Sequence, residues 1–88
     1  VQSATKYLSG HSDVMAGVIC GSAARLKQIF YSEYMTLGGV ISPMNAYLIL
    51  RGLRTLPLRL DRSDASARQV VAFLEKHPAV RKVYYPFA

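Results

Sequence analysis

The run VMAGVIC, residues 14–20, limits the choice of fold more than any other stretch of this chain. It is apolar throughout, shows no alternation, and sits between Asp13 and Gly21. A short unbroken apolar run of this kind suits a β-strand buried on both faces. Such a strand needs neighbours in a sheet and cover above and below it. The order that follows is helix, helix, helix and a second short strand, which places the chain among α/β or α+β proteins.

The helices are read from caps and stripes. Ser22 can cap a helix through SAARLKQIFYSEYM, residues 22–35, with Leu26, Ile29, Phe30 and Tyr34 on one stripe. The stretch TLGGVISP ends it, because paired glycines and Pro43 mark a turn. Pro43 is well placed to open the next helix, MNAYLILRGLRTL, with Ala46, Ile49, Leu50 and Leu53 as its apolar positions. Gly52 inside that helix costs about 1 kcal/mol against alanine, so it points to close packing of another backbone. Pro57 is expected to interrupt the chain, and Ser63 or Asp64 to cap a third helix, ASARQVVAFLEKH, with Ala67, Val70, Val71 and Leu74 on its stripe. Pro78 ends it, and VRKVYYP reads as a short strand.

Composition matters for what covers these elements. Hydrophobic residues make up 51% of 88 residues, rich for a domain whose own core is small. Much of that surface is expected to meet a partner subunit or the rest of a larger protein. The chain opens at VQSATK, without an initiator methionine or a leader pattern, and reads as an internal piece. A net charge of +6 raises the question of nucleic acid, but the basic residues are scattered, with no run of like charge. No apolar run reaches membrane-spanning length. The single cysteine, Cys20, reads as a small buried apolar residue in a protein of a reducing compartment, the cytoplasm. Two histidines and one cysteine have no metal-ligand spacing, so no metal site is expected.

The polar stretch SATKYLSGHSD, residues 3–13, carries the chemistry. One lysine among hydroxyls is either a solvated loop or an amine placed beside anion donors. In an extended segment Ser3 and Thr5 share one face and Lys6 takes the other; in a tight turn the three can converge. His11 and Asp13 are read as groups that hydrogen-bond the loop rather than as a base and its orienting carboxylate. Arg51 and Arg54 are read as surface arginines or members of structural ion pairs.

The longer string SATKYLSGHSDVMAG resembles the cofactor-lysine signature of the Cys/Met-metabolism family of pyridoxal-phosphate enzymes. The stretches LGGVISPMNAYLILRGLRTLPLRLDR and AFLEKHPAVRKVYYP are similar to the family segments that follow. The resemblance implies an α/β fold: a piece of a fold-type-I large domain running into the small C-terminal α/β domain. Residues 1–60 would end the large domain and residues 61–88 begin the small one.

It also implies pyridoxal 5'-phosphate as cofactor. Lys6 would be the catalytic residue that forms the internal aldimine, and Ser3 and Thr5 would contact the phosphate. Elimination or replacement at Cβ or Cγ of sulfur-containing amino acids or homoserine derivatives follows from the family. The implied partners are an amino-acid substrate, the remainder of the enzyme and further copies in a homotetramer, with neither nucleic acid nor membrane. The alternative is a catalytically incomplete piece with a structural role only. The family's ring-nitrogen aspartate, glycine-rich phosphate turn, stacking aromatic, neighbouring-subunit tyrosine and carboxylate-binding arginine have no counterpart in these residues. Phe87 stands after Pro86, where the family more often has glycine.

Overall fold

The computed structural model describes residues 1–87; Ala88, the last residue of the expected small-domain segment, lies outside them. The chain divides into two compact units, Val1–Leu56 and the residues from Pro57 onward.

In the first unit, β1 (Gln2–Ser3) leads into a π-helical turn, Ala4–Leu8, and returns through β2 (Gly17–Val18). The two strands pair antiparallel, Gln2 opposite Val18 and Ser3 opposite Gly17. The strand expected over residues 14–20 is therefore cut to two residues. Val14 is buried, but Met15 is 84% exposed and Ile19 50% exposed. The reason is pairing: a strand buried on both faces needs flanking strands, and β1 is the one neighbour within the described residues. Cys20, expected to be buried, is exposed for the same reason.

Two helices begin where their caps put them. Ser22 accepts a hydrogen bond from the Arg25 amide at 3.4 Å and opens α1 (Ala23–Ile29). The helix then widens into a π-helical stretch, Phe30–Tyr34, before a last turn, α2 (Met35–Leu37). Gly38, at φ 67°, ends it in the left-handed conformation that glycine adopts without steric cost. Of the predicted stripe, Ile29 is half-buried, whereas Leu26, Phe30 and Tyr34 are exposed. Phe30 stacks on Tyr34 with ring centroids 4.9 Å apart. Ser42 accepts from the Asn45 amide at 3.2 Å and opens α3 (Pro43–Leu53), with Pro43 at its start.

The second unit departs from expectation in two places. Pro57 does not interrupt the chain, because it lies in the first turn of α4 (Leu56–Glu75), where a missing N–H costs no helical hydrogen bond. Ser63 and Asp64 are consequently inside the helix and cap nothing. Asp64 instead pairs with Arg68 one turn on, at 2.9 Å. Ala67, Val71 and Leu74 are half-buried as the stripe predicts, while Val70 is 55% exposed. The strand expected over residues 80–86 does not form. Those residues are irregular, with no partner to pair with among the described residues. After the helix, His77 Nδ1 accepts from the Ala79 amide at 3.2 Å.

Candidate functional site

The loop that carries Lys6 is the best-buried part of the chain. Ala4, Ser9 and Val14 are buried, although the sequence around them is polar. The cause is a set of hydrogen bonds that closes the loop on itself. The Ala4 amide donates to the Ala16 carbonyl at 2.8 Å, and the Ala16 amide donates to Thr5 Oγ1 at 3.0 Å. Thr5 Oγ1 donates in turn to the Ala16 carbonyl at 3.3 Å. Ser9, fully buried, donates from its hydroxyl to the Thr5 carbonyl at 2.8 Å and from its amide to the Ala4 carbonyl at 3.0 Å. The Gly10 amide donates to the Lys6 carbonyl at 2.9 Å. Lys6 thus has its backbone fixed on a turn while its side chain is exposed.

Ser3 and Thr5 take different positions. Ser3 is exposed at the end of β1, with φ −71° and ψ 121°. Gln2 and Ala4 line an open apolar groove of about 560 Å³, whose walls include Leu8, Val18, Ile49 and Leu50. Since side chains alternate along an extended segment, Ser3 faces away from that groove. Thr5 is half-buried with its hydroxyl directed at Ala16. Thr5 and Lys6 lie in the π-helical turn, and Ser3 precedes it on the strand.

An aldehyde that carries a phosphate calls for an amine and hydroxyl donors, and this segment contains groups of both types. Lys6 offers an exposed primary amine, the group that adds to a carbonyl. Ser3 offers an exposed hydroxyl. Thr5 can turn its proton to an anion by giving up only the long 3.3 Å bond, while still accepting from the Ala16 amide.

The bend that follows is held from outside. His11 Nδ1 donates to the Ser9 carbonyl at 2.7 Å, as expected of a loop-bonding group. Asp13 does not pair with His11. Its carboxylate accepts from Arg51 Nη2 at 2.5 Å, across 38 residues of sequence. The Arg51 hydrogen bond is the main influence holding the Asp13 carboxyl below the usual carboxylate range, and the charges of Arg51 and His11 add to it. Arg51 is thereby the member of an ion pair, one of the two roles read for it. Gly52, next along α3, is buried, and a side chain there would collide with the carbonyl oxygens of Leu8 and Ser9. Its expected close approach to another backbone is what the structure has.

Sequence reading missed the burial of Ser9 and the partnership of Asp13 with Arg51. The first had a local signal, a serine four residues after Thr5 in a turn. The second depends on how α3 meets the loop and had none. Among the described residues no group of three or more His, Cys, Asp or Glu is placed to hold a metal ion, and no helix is long and apolar enough to cross a membrane.

Comparison with known proteins identifies the family. The sequence profile of a family described as Cys/Met metabolism PLP-dependent enzyme matches residues 1–88. The chain is 43% identical over 86 residues to cystathionine gamma-lyase of Bacillus subtilis, covering 98% of this chain and 23% of that protein. It is 48% identical over 86 residues to cystathionine gamma-synthase 1, chloroplastic, of Arabidopsis thaliana, covering 98% of this chain and 15% of that protein. It is 47% identical over 87 residues to L-methionine gamma-lyase of Fusobacterium nucleatum, covering 98% of this chain and 22% of that protein. The chain therefore spans less than a quarter of the length of these relatives. No solved structure matches it. With a family profile running from end to end and relatives near half identity over almost every residue, the chain belongs to the Cys/Met-metabolism family of PLP-dependent enzymes.

Proposed function

We propose that the full polypeptide carrying this sequence is a pyridoxal-phosphate enzyme of sulfur amino-acid metabolism. It eliminates or replaces a group at Cβ or Cγ of a cysteine-, homocysteine- or homoserine-type substrate, and Lys6 is its cofactor lysine. One observation carries the reading: the only lysine in the loop is exposed on a turn whose backbone is fixed by hydrogen bonds, within a stretch shared with lyases and a synthase of this metabolism. The alternative, a piece with a structural role only, is not favoured, because the relatives that match over nearly the whole chain are named as enzymes.

Bound at this loop, pyridoxal phosphate would supply an aldehyde that takes up primary amines and a ring that accepts the electron pair of a bond broken at the substrate's α-carbon. Lys6 Nζ would be the amine that holds this aldehyde and, when free, the group that takes up the substrate's α-proton and returns a proton to the substrate or its leaving group. Ser3 would donate its hydroxyl to the phosphate, and Thr5 would donate to it while the Ala16 amide keeps its oxygen in place.

The same reading assigns residues 1–60 to the end of the large domain and 61–88 to the start of the small one. The division of the chain near Leu56 supports it, with α4 continuous through the boundary. A homotetramer with sites shared between subunits is part of the reading. The large apolar side chains left exposed, Leu37, Met44 and Phe73 among them, would be covered by the rest of the polypeptide or by such copies.

The test is spectroscopic. The full-length protein reconstituted with pyridoxal phosphate should show the visible absorbance band of a lysine-bound cofactor, and Lys6→Ala should abolish it. A band that survives the substitution contradicts the assignment.

A further inference from the structure

Lys6 is fixed by more than its own turn. The bend from Ser9 to Asp13 contains two residues in the left-handed region, Gly10 at φ 71° and Ser12 at φ 55°. Non-glycine residues enter that region at some steric cost, so the bend needs an external hold. Helix α3 provides it at two adjacent residues. Gly52 seats the Leu8 and Ser9 carbonyls, and Arg51 reaches past them to the Asp13 carboxylate at 2.5 Å. Between those points the Gly10 amide bonds the Lys6 carbonyl at 2.9 Å. An unbroken set of contacts therefore runs from the guanidinium of α3, through the bend, to the backbone of the lysine.

We propose that Asp13 and Arg51 are positioning residues for Lys6: their ion pair latches the bend to α3 and so sets where the amine stands. The inference rests on the reading of Lys6 as the cofactor lysine. The two side chains are 40% and 36% exposed, and an ion pair so open to water adds little to stability. Stability alone thus gives weak reason for the pairing. Arg51 also has Nε buried without a hydrogen-bond partner among the described residues. That is a poor arrangement for a surface arginine, and it is explained if the side chain is drawn across the loop to reach Asp13. Removing the latch should loosen the bend and displace the amine without unfolding the protein.

The experiment uses full-length Asp13→Asn, Arg51→Gln, the double variant and Asp13→Glu, each as apo-protein and as holoenzyme. In the apo-protein, hydrogen exchange at the Gly10 amide should quicken about tenfold in each single variant. The double variant should be no worse than either single, as for two groups acting as one pair. In the holoenzyme, the visible circular dichroism of the bound cofactor should change, and kcat should fall about tenfold with KM held, since a displaced amine harms proton transfer more than substrate binding. Asp13→Glu, which keeps the charge, should recover most of the loss. Unchanged exchange at Gly10, or additive effects in the double variant, overturns the latch. If Lys6→Ala abolishes the visible band while Asp13→Asn leaves dichroism and kcat as in the unmodified protein, the positioning role fails and the reading of Lys6 stands. If Lys6→Ala leaves the band, that reading fails first, and the positioning role with it.

Discussion

The lysine loop and helix α4 invert what their sequences advertise. Residues 3–13 are mostly polar, yet they and the adjoining residues hold Ala4, Ser9 and Val14, three of the buried residues of the described chain; Gly52 of α3, packed against them, is another. Helix α4 has twenty residues, an apolar stripe and no buried residue at all. Ala4 and Ser9 are buried because backbone groups, hydroxyls and one glycine interlock around them. The helix is formed by its own hydrogen bonds, and burial of its apolar side chains is left to whatever lies against it. Local hydrogen bonding makes a helix without a core; an irregular loop holds one shape only when its polar groups are each given a partner.

Substitutions in the two regions should separate these cases, and the largest effect belongs to the loop. Lys6→Ala in the full-length enzyme should lower kcat by about a thousandfold or more, the scale of a lost acid–base group, as read in steady-state assays with saturating cofactor. Gly52→Val should destabilise the unit Val1–Leu56 by roughly 1–3 kcal/mol or force α3 away from the loop, because the new side chain meets the Leu8 and Ser9 carbonyls. Urea unfolding followed by exchange at loop amides would register either result. Ser9→Ala removes the buried hydroxyl that bonds the Thr5 carbonyl at 2.8 Å and should cost about 1 kcal/mol in the same measurement. Asp64→Ala in α4 breaks an exposed pair with Arg68 and should leave the melting curve nearly unmoved. A large effect of Asp64→Ala with a small one of Ser9→Ala would reverse the comparison.

The pH response sharpens it. Because the folded Asp13 carboxyl is held below its ordinary value, the latch with Arg51 contributes in full above the unfolded carboxyl's pKa. That contribution is lost as pH falls through the lower, folded value. At neutral pH the Asp13 carboxyl is ionised. Acid should therefore open the bend at residues 9–13 before it affects α4, which NMR titration of the Asp13 carboxyl carbon alongside Gly10 exchange would record.

What could be read in the sequence follows the same division between local and distant causes. Ser22 and Ser42 cap their helices as read, since a cap depends on the next three residues. Gly52 was legible as a close approach because a mid-helix glycine has few other uses. The strand over residues 14–20 shrank to Gly17–Val18, and none formed over residues 80–86, because strands need partners that the chain itself must bring. Pro57 does not break the chain because a proline's effect depends on where the helix begins. Lys6, Ser3 and Thr5 stood out through resemblance, not spacing. The Asp13–Arg51 pair, 38 residues apart, had no signal in the sequence.

On the proposed function, the amine held on this turn is the one that joins the cofactor. Reduction of the full-length holoenzyme with borohydride, followed by peptide mapping, tests it most directly. Reduction should leave a single pyridoxyl group, on Lys6; a label on Lys27, or on any lysine other than Lys6, rules the assignment out.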